Sequence, residues 1–209
     1  MLFKEIVKEL KEHAPMTLSG AIIGIILVFF LHKISYQSAE NLFYICHPGH
    51  VLLSALTTAA MYKRYQCPAD KKKCNPLFIL LVGYVGSIGV ATVSDSVIPF
   101  FGEKLLNMPH SHLHAGFIER PLLINSMALL GIIIAYFNPT TKFPHLGHVL
   151  LSTFASMFHI LMAKETSINI IIYIPIMVFL FLSVWIPCCF SDIVFPLLFV
   201  KSPLIGHDE

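Results

Sequence analysis

Two eight-residue stretches, HPGHVLLS at 47–54 and HLGHVLLS at 145–152, each open on histidines three positions apart. Residues i and i+3 share a face of a helix. His47 with His50, and His145 with His148, therefore present two imidazoles to one side. Each pair is followed by the pattern Ser-Asp-x-Val-x-Pro, SDSVIP at 94–99 and SDIVFP at 191–196. Imidazole nitrogen and carboxylate oxygen together suit Zn, Mn, Fe, Co or Ni. The candidate metal ligands are thus His47, His50 and Asp95 in one set, and His145, His148 and Asp192 in the other. A third group, HSHLH at 110–114, offers His110, His112 and His114 on alternate residues, as a capture arm for a cation would. Thiolate is not part of the recurring set, although Cys46 adjoins His47 and Cys188 and Cys189 precede Asp192, which leaves soft copper ligation as a lesser option.

Each assignment has a plainer counterpart. A His–Asp pair inside a membrane helix bundle is often only an interhelical hydrogen bond. HSHLH reads equally as a solvated loop. His159 reads as a packed helix residue, because the matching position in the first stretch is Met61.

The elements that carry these residues are strongly apolar. The chain of 209 residues is 56% hydrophobic and 12% charged, with mean hydropathy +0.76. A soluble domain carries about 25% charged residues, so the composition points to an integral membrane protein with the lipid bilayer as its partner. Apolar runs lie near 16–31, 50–62, 77–101, 121–137, 148–163 and 167–200. Spanning helices need about 20 residues. The expectation is an all-α, polytopic membrane helix bundle of about six spans. Seven is the alternative, with the last run broken at Pro187. Residues 1–15 carry Leu2, Phe3, Ile6, Val7 and Leu10 at helical spacing and predict an amphipathic surface helix, with a frayed terminus as the other reading.

The histidine motifs stand 98 positions apart and the aspartate motifs 97. GAIIGIILVFF at 20–30 and SMALLGIIIAYF at 126–137 precede them. This predicts a duplicated three-span unit, 16–118 and 119–209. An odd number of spans makes the second copy enter from the opposite side, giving an inverted repeat of the kind many secondary transporters use. Ten of the fourteen Lys and Arg fall on the side of the termini, which puts both termini in the cytoplasm. On that side Cys67 and Cys74 read as ordinary thiols. The prolines four residues after Asp95 and Asp192 should break or kink their helices, and Gly83, Gly86 and Gly89 should permit close helix packing.

The leading functional expectation is a transporter or channel for a divalent transition-metal cation, more plausibly not an enzyme. One alternative is a membrane-embedded metal-dependent hydrolase on the extracytoplasmic face, with Glu103 or Glu119 as general base. The other is a non-catalytic scaffold. The order Gly-His, Asp, His-x-His resembles that of bacterial inner-membrane metal-dependent hydrolase-like proteins. Their Asp-rich stretch and His-Arg-Gly-Phe-Thr-His run are absent, so no residue role is carried over. Net charge of only +2 and no basic aromatic stripe argue against nucleic acid. No nucleotide-binding loop is present, and a small unit of this kind is compatible with a homo-oligomer.

Overall fold

The computed structural model describes residues 2–67, 75–139, 142–164 and 170–199. Among them there is no strand, and the all-α expectation holds. The helices are α1 (Leu2–Phe30), α2 (Tyr36–Gln66), α3 (Pro76–Thr92), α4 (Ile98–Leu105), α5 (Gly116–Glu119), α6 (Pro121–Phe137), α7 (Lys142–Ala163), α8 (Tyr173–Cys189) and α9 (Phe195–Leu197). Two single π-helical turns, π1 (Val93–Val97) and π2 (Phe190–Val194), join α3 to α4 and α8 to α9 without a break.

Local chemistry starts these helices. The Ser35 side chain accepts the Ser38 amide at the head of α2, and Asn75 Oδ1 accepts the Leu77 amide at the head of α3, satisfying donors that a first turn leaves open. Pro76 and Pro121 occupy first-turn positions, where a missing N–H costs nothing.

Several boundaries differ from expectation. The predicted surface helix and the following apolar run form one helix, α1, that passes through Pro15. The apolar run near 50–62 belongs to a longer helix, α2, that begins at Tyr36 and has Pro48 well inside it. The last apolar run is a continuous helix from Tyr173 through Leu197, with Pro187 inside it. The expected break at Asp95 is a π-turn instead. Pro99 has no N–H to offer the carbonyl four residues back, and the helix absorbs the lost bond by widening over Val93–Val97, where the Ile98 amide reaches Val93 O. Pro196 stands at the same spacing after π2.

The core forms around α2, which packs against α7, α6 and α3, while α1 packs against α8 and α7. Phe43, Ala155, Leu161, Ile176 and Leu180 are buried where α1, α2, α7 and α8 meet. Ala55, Ala59, Ile79, Val82 and Ile132 are buried where α2, α3 and α6 meet. Gly131 allows α6 to approach α2: a β-carbon there would sit 2.3 Å from Leu52 O. Gly83 and Gly86 do face neighbouring helices, with Ile132 and Phe195 within 2.9 Å of such a carbon, whereas Gly89 faces open space.

Pro76–Leu105 is the one helix among the described residues long and apolar enough to cross a membrane, and Thr17–Phe30, Pro121–Phe137, Gly147–Ala163 and Tyr173–Cys188 are shorter apolar helices. Cys67 is disulfide-bonded, not the ordinary thiol expected. Its partner lies outside the described residues, as does Cys74.

Candidate metal centre

α2 and α7 cross in opposite directions. Gly49 lies against Leu151 and Gly147 against Leu53, so the contact position on α7 falls as that on α2 rises. At the crossing the rings of His50 and His148 stack, with centroids 5.6 Å apart and planes 18° apart, and both residues are fully buried. These are the corresponding histidines of the two motifs. Other corresponding residues exchange contacts in the same way. Ser54 Oγ meets Ser191 Oγ at 3.2 Å, and Ser152 Oγ meets Ser94 Oγ at 3.3 Å. Thr58 donates to Ser191 O and Ser156 to Ser94 O. Val51 and Ala91 share one buried cluster, and the corresponding Val149 and Cys188 share another. Reciprocal pairing of this kind is what a two-fold relation imposes on an interface.

Asp95, in π1 and fully buried, is the hub of the first set. Its Oδ2 accepts from His47 Nδ1 at 2.9 Å and His50 Nδ1 at 2.8 Å. Its Oδ1 accepts from Ser94 Oγ at 2.6 Å and Ser152 Oγ at 2.7 Å. Four donors on two oxygens call for the ionised carboxylate, which only accepts. Both imidazoles are therefore held with the proton on Nδ1 and the lone pair on Nε2, the arrangement in which a carboxylate orients metal-binding histidines from behind. Asp95 thus stands one step back from an open ligand position.

His47 Nε2 has no hydrogen-bond partner and is buried. It faces Gly116, where a β-carbon would sit 2.6 Å from it. His50 Nε2 faces Cys188 Sγ at 4.0 Å. Ligand atoms of His50, His148 and Cys188 all lie within 4.8 Å of one another, so the three could hold a metal ion. The side chains of His145 and Asp192 lie outside the described residues.

The HSHLH group does not join this cluster. His110 and His112 are exposed, while His114 is buried. Ligand atoms of His112, His114 and Glu119 form a second group within 4.8 Å that could also hold a metal. Burial lowers the His114 pKa, helped by neighbouring His159 and opposed by Glu119, which favours a neutral ring with a lone pair to give. Behind it the His114 amide donates to His159 Nε2 at 3.4 Å, so the His159 proton sits on Nδ1 and goes to Glu103 Oε1 at 2.6 Å. Phe43 separates the two clusters. It stacks on His47 at 5.1 Å and lies edge-on to His159 at 5.7 Å.

The sequence patterns left three residues outside their ligand sets. Cys188 lies one turn before the second Ser-Asp motif, and its counterpart in the first is Ala91, so the repeat gave it no signal. Glu103 and His159 are 56 positions apart and share no pattern. Comparison with protein-family models, curated proteins and solved structures finds no significant match.

Proposed function

We propose that this chain is a multi-pass membrane protein, built from two inverted three-span repeats, that passes a divalent transition-metal cation. The observation that carries the reading is the pair His50 and His148. They are corresponding residues of the two motifs, buried face to face where the central helices cross, with Asp95 orienting His50. The antiparallel crossing and the exchanged serine contacts support the inverted repeat. Burial polarity supports the membrane. α1, α3, α6 and α8 expose Ile26, Phe30, Leu81, Val85, Leu130, Ile133, Ile174 and Val178, while His, Ser, Thr and Asp side chains fill the interior. Ionisable residues enclosed in such a bundle mark ion pathways more than packing. The exposed His112 and Glu119, with the buried His114, suit a capture site at one end of the path.

On the Lys and Arg bias both termini face the cytoplasm. The Cys67 disulfide, at the same end of the bundle, is the opposing observation, since cytosolic disulfides rarely persist.

A scaffold is the second reading, favoured by the saturation of Asp95, whose four bonds would equally tie helices together. Metal content of purified protein in detergent separates the two. Wild type is compared with His50→Ala/Asp95→Ala and with His148→Ala/Asp192→Ala. Stoichiometric metal lowered by either pair supports the transport reading. Loss in the first pair alone points to a one-sided site, as a hydrolase would have. No metal after supply of Zn, Mn, Fe, Co and Ni leaves the scaffold.

A further inference from the structure

We infer that His50, His148 and Cys188 form a single three-donor site, centred where α2 and α7 cross, for a thiophilic cation of the Zn(II) or Cu(I) type. The inference rests on the metal reading above and deepens it. The repeated motifs alone predict two equivalent nitrogen–oxygen sites that would accept Mn(II) as well as Zn(II). The structure replaces them with one nitrogen–nitrogen–sulfur set.

Three observations converge. The donor atoms lie within 4.8 Å of one another in a fully enclosed position. Asp95 fixes the His50 lone pair on Nε2, the nitrogen that faces Cys188 Sγ at 4.0 Å. A tetrahedral zinc with Zn–S of about 2.3 Å and Zn–N of about 2.0 Å separates S from N by roughly 3.6 Å, so the His50–Cys188 pair closes on an ion by a few tenths of an ångström, and the pairs that include His148, within 4.8 Å, by at most about 1.5 Å. The donor set then decides the ion, because thiolate selects Zn(II) and Cu(I) over oxygen-seeking Mn(II). The site is lopsided on a reciprocal frame. Cys188 shares a buried cluster with Val149, and the corresponding Ala91 shares one with Val51. The frame therefore holds a second, unused seat for sulfur at position 91.

Cobalt(II) reports thiolate ligation directly, through a sulfur-to-metal charge-transfer band in the near ultraviolet. The test titrates Co(II) into full-length, reduced protein in detergent, with helicity and monodispersity checked for every variant. The wild type should show the band at one equivalent. Cys188→Ser should lose it, and Cys46→Ser should keep it. Asp95→Asn should retain the band but bind about 10–100-fold more weakly, as loss of an outer partner does. Ala91→Cys combined with Cys188→Ala should regain the band from the other side of the crossing. Excess Zn(II) should bleach it, Cu(I) should displace it under anaerobic conditions, and excess Mn(II) should leave it in place. The inference is overturned if the wild type shows no band, if the band survives Cys188→Ser, or if Mn(II) displaces the cobalt. A folded double variant without the band overturns the reciprocal seat. Metal uptake by a protein lacking the band would leave transport standing and remove this site. A band without uptake would do the reverse.

Discussion

Asp95→Asn is the sharpest test of the buried hub. The carboxylate takes four donors, at 2.9, 2.8, 2.6 and 2.7 Å. An amide oxygen can keep two of them, and the amide nitrogen then faces the other two. Hydrogen bonds to a charged group contribute about 1.5–3 kcal/mol each, so losing two costs roughly 3–6 kcal/mol. Two effects reduce this. Ser94 can turn to Ala91 O, 3.3 Å away, and removing a buried charge relieves a desolvation penalty of several kcal/mol. The histidine and serine donors stay behind in either case, without water to receive them. A net loss near the lower bound, about 3 kcal/mol, follows. At about 2–4 °C per kcal/mol for a chain of this size, the melting temperature should fall by roughly 6–12 °C. Thermal denaturation in detergent, followed by circular dichroism, measures it. Ser152→Ala removes one donor only and should lower melting about half as far. If Asp95→Asn melts at or above the wild-type temperature, the charge is a burden on the fold and the hub argument fails.

Other predictions follow from the same packing. Gly131→Ala places a carbon 2.3 Å from the Leu52 carbonyl, which is backbone and cannot swing away, whereas Gly89→Ala meets nothing within 4 Å. The first should destabilise by about 1–3 kcal/mol and the second should stabilise by roughly 0.5–1 kcal/mol; equal melting temperatures would refute the helix approach described. His159→Ala leaves the buried Glu103 carboxylate without its 2.6 Å partner, a loss of about 3–5 kcal/mol, while Glu103→Gln keeps an acceptor and should cost less. The opposite order of melting temperatures would show that the pair is not the tie it is drawn as. Cys67 is disulfide-bonded, so a maleimide reagent should label it only after reduction. Labelling of intact cells by an impermeant reagent, after an impermeant reductant, would place that loop and the termini outside, against the charge bias; labelling only after lysis would place them in the cytoplasm.

Several helices are legible in the chain: α3, α6 and α8 are apolar runs, and α2, α3 and α6 carry a polar cap or a proline at their heads. The paired motifs showed which residues belong together, and their common offset anticipated that His50 would have a counterpart in His148. Direction of bonding was not legible. That Asp95 faces the Nδ1 atoms, and so acts from behind, depends on a π-turn that aims the carboxylate between two helices. Proline spacing hinted at a break there without telling a break from a widened turn. Cys188 did not stand out because the matching position in the first copy is Ala91, so no thiol recurs. The Glu103–His159 pair was hidden because its partners meet only through α4 packing on α7. HSHLH gave no sign that it would stay apart from His47 and His50; Phe43 stands between them, a separation set by one side chain on α2.

The central claim is that both motifs serve one path for a transition metal. Zinc entry into proteoliposomes holding a fluorescent chelator tests it most directly, with wild type, His50→Ala and His148→Ala reconstituted at equal density. The account predicts entry above protein-free vesicles that either substitution abolishes. Entry no faster than in protein-free vesicles, or entry that survives His148→Ala in a folded protein, would contradict it.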